Sequence, residues 1–255
     1  MTIRPGSGAL GVIAGTGFAS LPGLIDPDAR DMPTAYGHAR VTTGTWHGRD
    51  TAFIARHGVG HSVPPHMINV RANVQALVDL DITEILAVNV VGGIGVETGA
   101  LVVVDDFIDF TKSRVLTFFD GSTPQGVVHV DMTDPYDQRM RRAWIDAAAS
   151  CGQAAIDGGI YGAFEGPRFE TRAEIRMAQA MGVTVVGMTG VPEVVLAREV
   201  AIPYAALCLV ANPAAGLGPA PIAMEEVNAV VASGTAAIMQ IMDAAARSLA
   251  GSNSS

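Results

Sequence analysis

The stretch 171–210, TRAEIRMAQAMGVTVVGMTGVPEVVLAREVAIPYAALCLV, decides the fold class. Helical spacing over Thr171–Met181 stops at Gly182, and Thr171 with Glu174 three residues on reads as a capping box. The apolar run Val183–Met188 follows as a buried strand. Glu193–Val200 returns to helix and Tyr204–Val210 to strand. Such alternation builds an α/β sheet.

The same pattern extends outward. Met224–Leu249 predicts a long closing helix. Toward the amino end, Ile160–Phe164 reads as a strand, Arg139–Ser150 as a helix stopped near Gly152, and Leu101–Val104 and Ile85–Val91 as strands. Asn69–Leu80, after the Pro64-Pro65 break, carries Val70, Val74, Leu77 and Val78 on one helical face. Ala39–Thr45 and Thr51–Ala55, joined by Trp46–Asp50, read as a hairpin, and Ala9–Ala14 as a buried strand entering Gly15-Thr16-Gly17. The hairpin makes the central sheet mixed, with helices flanking it. The polar span between Phe110 and Tyr136 reads as a functional loop, since regular patterns resume on both sides.

Composition narrows the function classes. Hydrophobic residues are 49% and charged residues 16% of 255, so disorder is excluded as a general description. With 16 Lys and Arg against 25 Asp and Glu, the net charge of −9 lacks the basic footprint of a nucleic-acid binder. No uninterrupted apolar run reaches the roughly 18 residues of a membrane span. The start, MTIRPGSGALGVIAG, has no apolar core with a cleavage site, so the cytoplasm is the expected compartment. Cys151 and Cys208 lack metal-ligand spacing and read as buried free thiols. Apolar surplus without a span suggests surface buried between identical subunits.

Several strand ends carry chemistry. Gly15-Thr16-Gly17 offers backbone N–H groups and a hydroxyl to an anion, or is a tight turn. A third glycine three places on is replaced by Ser20, and no Gly-Lys-Ser/Thr follows, so dinucleotide and Walker readings are disfavoured. Arg56 can fork onto phosphate, with His57 as a further donor. The spacing of His57 and His61 would suit a metal only on a helix, which Gly58 and Gly60 oppose; no metal site is expected. Thr189 and Asn212 stand at two more strand ends, and ligands of α/β sheets collect beyond such ends, so Thr16, Arg56, Thr189 and Asn212 are expected to converge. In FEGPRFET, Thr171 is explained by capping, while Glu165, Arg168 and Glu170 are not.

Five segments, GVIAGTGF, ARHGVGHSVPPHMINVRANVQAL, FEGPRFETRAEIRMAQAMG, VGMTGVPEVVLAREVAIPYA and VANPAAG, resemble in order the nucleoside phosphorylases of the trimeric purine and methylthioadenosine branch. The resemblance implies a single nucleoside phosphorylase domain over 1–250 and a homotrimer; the small, polar residues 251–255 read as a frayed tail. It implies phosphorolysis, in which inorganic phosphate is co-substrate and neither metal nor organic cofactor is used. By position, Thr16, Arg56, His57 and Thr189 match the family's phosphate ligands, with the backbone around Asn89 and Val90 contributing. Met188 matches the residue beneath the ribose and Phe169 the aromatic on the base. His129 matches a residue that a neighbouring subunit supplies near the 5′ group.

The resemblance also bears on substrate. A 6-oxopurine presents N1–H as donor and O6 as acceptor; Glu170, acceptor-only when ionised, suits the first, and Asn212 can donate toward O6 or N7 as the base leaves. Adenine-selective relatives carry aspartates where this chain has Asn212 and Ala214, the latter following Pro213. Relatives acting on ordinary nucleosides carry His-Glu-Glu-Val where this chain reads Met224-Glu225-Glu226-Val227. Methionine cannot replace that histidine's hydrogen bond but packs on a thioether, which implies S-methyl-5′-thioinosine as substrate. Inosine or guanosine, methylthioadenosine, and a purine-binding protein without turnover remain the alternatives; Met224 can also be ordinary helix packing.

Overall fold

The computed structural model describes residues 8–252 apart from 59, 61 and 122. His61 therefore lies outside the described residues, as do 253–255 of the expected tail. In chain order come β1 (Leu10–Ala14), β2 (Ile25–Thr34), β3 (Gly37–Trp46), β4 (Arg49–Ala55), a 3-10 turn (Pro65–Met67), α1 (Val70–Asp79) and β5 (Glu84–Gly93). Then follow β6 (Leu101–Val103), β7 (Asp106–Asp109), α2 (Gln138–Ser150), β8 (Ala155–Asp157), β9 (Ile160–Ala163), α3 (Arg172–Ala180), β10 (Val183–Gly187), α4 (Gly190–Glu199), β11 (Tyr204–Pro213) and α5 (Met224–Ser252). No helix or strand interrupts 111–137 among the described residues.

The sheet is mixed, as expected, and β5 is its hub. It pairs parallel with β1 and with β11, and antiparallel with β10 at Gly92 and Gly93. The main path runs β2-β3-β4-β1-β5-β10-β9-β7, with β11, β6 and β8 branching from β5. The hairpin of β3 and β4 turns through His47 and Gly48 alone, both at positive φ, which matches strand twist.

Apolar residues on both sheet faces are covered, hence the near-continuous apolar strands. One core joins Ile13, Ile54 and Ile85 to Leu77 of α1 and Val194 of α4. The other joins Leu10, Val12 and Leu86 to Trp144 of α2 and Ile238, Ile241 and Met242 of α5. Asn69 and Asp137 cap α1 and α2 through side-chain oxygens, and the capping box of Thr171 and Glu174 is present at α3. Each oxygen satisfies a backbone N–H that the helix leaves without a partner.

The short strands β7 and β8 were not anticipated, and three further differences from expectation have physical causes. Strand β2 was not anticipated: IDPDARDMPT has two prolines and mostly exposed residues, and is held by pairing with β3 at the sheet edge. Strand β11 continues past Val210 through a bulge to Pro213. Helix α5 continues through Gly251 to Ser252, into the stretch expected to fray, and over Met224–Gly251 it is long and apolar enough to cross a membrane by length and composition. Its Ile238, Ile241, Met242, Ala245 and Leu249 are buried in the core described above.

Candidate active site

Strand ends and helix α5 surround one cavity of about 830 Å³. Thr16 reaches it from β1, Arg56 and His57 from β4, Val90 from β5, Met188 and Thr189 from β10, and Asn212 from β11. The loop after β9 adds Phe169 and Glu170, and the start of α5 adds Met224, Val227 and Asn228. The four strand ends expected to converge therefore share one cavity.

One end of this lining suits an oxyanion. Phe18 N donates to Gly15 O at 3.1 Å, closing a turn in which Gly17 takes φ +89°. A Cβ on Gly15 would stand 3.0 Å from Arg56 Nη1, so the turn and the guanidinium pack closely only because that side chain is missing. Arg56 N donates to Ala14 O at 2.8 Å, continuing the pairing of β1 with β4 to the cavity edge. His57 is fixed by Val63: Val63 N donates to His57 O and His57 Nδ1 donates to Val63 O, both at 2.9 Å. Since a carbonyl only accepts, the ring carries its hydrogen on Nδ1.

The expectation for Arg56 is corrected in detail. Its fork faces protein: Nε and Nη2 donate to Glu193 at 2.9 and 2.8 Å, and Nη1 donates to Val88 O at 3.1 Å. Of five guanidinium N–H groups these bonds leave one on each Nη for the cavity. Glu193 is fully buried and also accepts from Tyr204 Oη at 2.7 Å. Burial works against the Arg56 charge, but the Glu193 carboxylate outweighs it and raises the guanidinium above its ordinary value. Sequence reading missed Glu193; its signal was a carboxylate inside the apolar run Val191–Leu196.

Thr189 precedes α4 without capping it; Oγ1 donates instead to Asn89 Oδ1 at 3.3 Å. Asn89 is buried and stands behind Thr189, whereas Val90 lines the cavity itself. Asn89 thus meets Thr189 through its side chain, beside Val90 at the cavity.

The FEGPRFET segment divides cleanly. Glu165 accepts from Lys112 N and Ser113 N at 2.6 and 3.2 Å, which anchors the start of the 110–136 segment and holds its carboxyl below the ordinary range despite desolvation. Arg168 forks onto Glu174 at 2.8 and 2.7 Å. Glu170 alone combines burial with a place on the cavity, and that burial raises its carboxyl above the ordinary value. Phe169, 38% exposed, presents its ring beside it.

Asn212 owes its position to the bulge in β11. Register runs Val210 opposite Val91 and then skips Ala211, so that Asn212 stands opposite Gly92. Bulges re-aim the side chains that follow them. Asn212 Nδ2 donates to Pro213 O at 2.8 Å. Pro213 and Ala214, expected to touch substrate, are absent from the described cavity lining. Ala214 is buried with Ile94, Phe164 and Ile175, and Pro213 serves as the carbonyl that orients Asn212. His129 is exposed on the 110–136 segment and is likewise absent from the lining formed by its own chain. Ser62, Pro64, Pro65 and Asn228 line the cavity without having been anticipated. Among the described residues no group of three or more His, Cys, Asp or Glu could hold a metal ion.

A hydroxyl, guanidinium and imidazole at one part of the cavity suit an oxyanion, and an aromatic and a buried carboxylate at another suit a flat polar ring, the two needs of an enzyme that sets a phosphate against a nucleoside. The chain belongs to the phosphorylase superfamily, whose family model matches residues 9–247. A protein of Methanothermobacter thermautotrophicus named probable S-methyl-5′-thioinosine phosphorylase is 45% identical over 244 residues, 94% of this chain and 84% of that one. The 6-oxopurine nucleoside phosphorylase of Pyrococcus furiosus is 42% identical over 224 residues, 86% of this chain and 84% of that one. Methylthioadenosine phosphorylase from Schistosoma mansoni, solved in complex with adenine, matches with a TM-score of 0.88 at 30% identity, covering 96% of this chain and 92% of that one.

Proposed function

We propose that this purine nucleoside phosphorylase cleaves S-methyl-5′-thioinosine with phosphate to hypoxanthine and S-methyl-5-thioribose 1-phosphate. The observation that carries the reading is that Glu170, Asn212 and Met224 line one cavity with the oxyanion ligands. A phosphate oxygen bonds to C1′ while the C1′–N9 bond breaks and its electron pair passes to the purine. Thr16, Arg56, His57 and Thr189 hold the phosphate in place, supplying proximity and an anion beside the developing ribosyl charge. Met188 lies beneath the ribose and Phe169 packs on the base.

Glu170 accepts from N1–H, and Asn212 donates to O6 or N7 as negative charge grows there. The name of the Methanothermobacter thermautotrophicus relative is consistent with this selectivity. Met224 and Val227 offer an apolar wall to a methylthio group. The reading includes a cytoplasmic homotrimer using no metal or organic cofactor. Exposed Val115, Val127 and Val128 on the segment that also carries His129 support contact between subunits there.

A second reading, a phosphorylase of inosine or guanosine, draws on Asn228, whose amide lines the cavity one helical turn beyond Met224. It draws also on the name of the Pyrococcus furiosus relative. Steady-state comparison of methylthioinosine, inosine and methylthioadenosine, each with phosphate, separates the readings. Preference for methylthioadenosine would remove the roles given to Glu170 and Asn212; preference for inosine would remove that of Met224.

A further inference from the structure

Tyr161 of β9 is fully buried and absent from the described cavity lining, yet its phenol oxygen meets the site from behind. Thr189 N and Gly190 N both donate to Tyr161 Oη, at 3.2 and 3.1 Å. These two N–H groups open α4 and have no partner within the helix. The Thr189 hydroxyl makes no capping bond to α4 and is turned to Asn89.

The neighbouring chain is shaped around the phenol. A Cβ on Gly187 would stand 2.2 Å from Tyr161 Oη, and one on Gly190 would stand 3.1 Å from Tyr161 Cζ. Both sides of the Thr189 turn are therefore glycine where the ring passes. Core filling alone does not call for the oxygen, because phenylalanine has nearly the same volume.

We propose that Tyr161 is a positioning residue for the phosphate site: by accepting from Thr189 N and Gly190 N, its oxygen fixes the turn from which the Thr189 hydroxyl serves the bound anion. The inference rests on the phosphate-dependent reading above.

The test is Tyr161→Phe, which removes one oxygen and keeps the ring. Calorimetric binding of inorganic phosphate to the variant is expected to weaken about tenfold, the scale of one lost hydrogen bond. In turnover the phosphate KM rises by a similar factor while the nucleoside KM stays within about twofold. In a Thr189→Ala background the same change adds less than about twofold, because the two residues act as one unit. Unchanged phosphate affinity in a folded Tyr161→Phe protein overturns the inference, as does an equal rise in both KM values. If Tyr161→Phe does not fold, 3,5-difluorotyrosine at 161, whose oxygen is a poorer acceptor, is expected to weaken phosphate in the same direction; unchanged affinity then overturns it. A wild-type protein that binds phosphate but releases no free base with it refutes the functional reading instead, and leaves the binding comparison to decide on Tyr161.

Discussion

Arg56 presents Nε and Nη2 to the two carboxylate oxygens of Glu193 at 2.9 and 2.8 Å, a paired contact with both side chains out of solvent. The pair holds the guanidinium at the end of β4 before any anion arrives, and Tyr204 Oη holds the carboxylate in turn. Glu193→Ala strands a buried cation, for which a loss of about 3–5 kcal/mol is expected. Tyr204→Phe removes one bond to a charged group, at a cost of about 1.5–3 kcal/mol. Denaturant titration measures both, and the phosphate KM should rise in each variant that folds while the nucleoside KM changes little.

In the proposed site Glu170 matches N1–H best when ionised, since the carboxylate is then an acceptor only and carries no hydrogen to oppose the donor. Desolvation raises its carboxyl, Glu174 pushes the same way and Arg168 opposes. The acid limb of kcat/KM for a 6-oxopurine nucleoside is therefore expected above the ordinary carboxylate range, with activity falling as pH drops through it. Glu170→Gln should abolish that limb together with most activity. The sign for stability follows from the same shift: the folded state holds the proton more tightly, so this group's contribution is present below the unfolded pKa and is lost as pH rises through the folded one. A pH–rate profile of both proteins decides it; an unmoved limb in Glu170→Gln assigns the titration elsewhere.

Asn212 has one amide hydrogen on Pro213 O, which fixes which end of the amide is nitrogen and leaves the second hydrogen for a ligand. Asn212→Asp sets a carboxylate against that carbonyl. A fall of about a hundredfold in kcat is expected for oxopurine substrates, in the range of losing one donor to a developing anion. Selectivity should move toward adenine only when Glu170 is changed as well, since a single swap leaves the other contact mismatched. Substrate ratios for the single and double variants measure this.

The sequence made the α/β alternation legible because it is local: capping residues, glycine stops and apolar runs lie within a few residues of one another. Strand β2 was invisible because only β3 makes it a strand: its own residues include two prolines and are mostly exposed. In the site, Thr16, Arg56, Thr189 and Asn212 were legible as strand-end polar residues. Glu193, Tyr204 and Tyr161 were not, because each acts through contacts with chain far away in sequence, such as Arg56 Nε with Glu193. Ala214 marks a different limit: a position matched by motif sits behind the cavity wall, because the bulge at Ala211 turns Asn212 inward and leaves Ala214 to the core.

Met224 is 48% exposed at the cavity mouth, so replacing it should alter stability by no more than about 0.5 kcal/mol. Met224→His is expected to improve inosine relative to its methylthio analogue by adding a donor for the 5′-hydroxyl. Asn228→Leu should shift the ratio the opposite way, removing the amide that lines the cavity beside Met224 and Val227. Competition between the two nucleosides gives the ratio directly, and an unchanged value for Met224→His takes Met224 out of the 5′ pocket.

Asn89 links the Thr189 hydroxyl to a buried sulfur. Its Oδ1 accepts from Thr189, while Nδ2 reaches no oxygen or nitrogen partner and lies toward Cys208, whose thiol burial pushes up to about 12. On the proposed reading, phosphate takes the Thr189 hydrogen and would leave Oδ1 without its donor, a costly state inside the core. Rotating the amide end for end would relieve it: Nδ2 would then donate to Thr189 Oγ1, and the protonated Cys208 could donate to Oδ1, since a thiol serves in either role. Asn89→Leu removes this adjustment and is expected to raise the phosphate KM several-fold. Asn89→Asp cannot donate at all and adds charge near the anion, so its effect should be larger by about another tenfold. Phosphate KM measured for both variants settles the order, and an aspartate no worse than leucine would show that the amide does not invert.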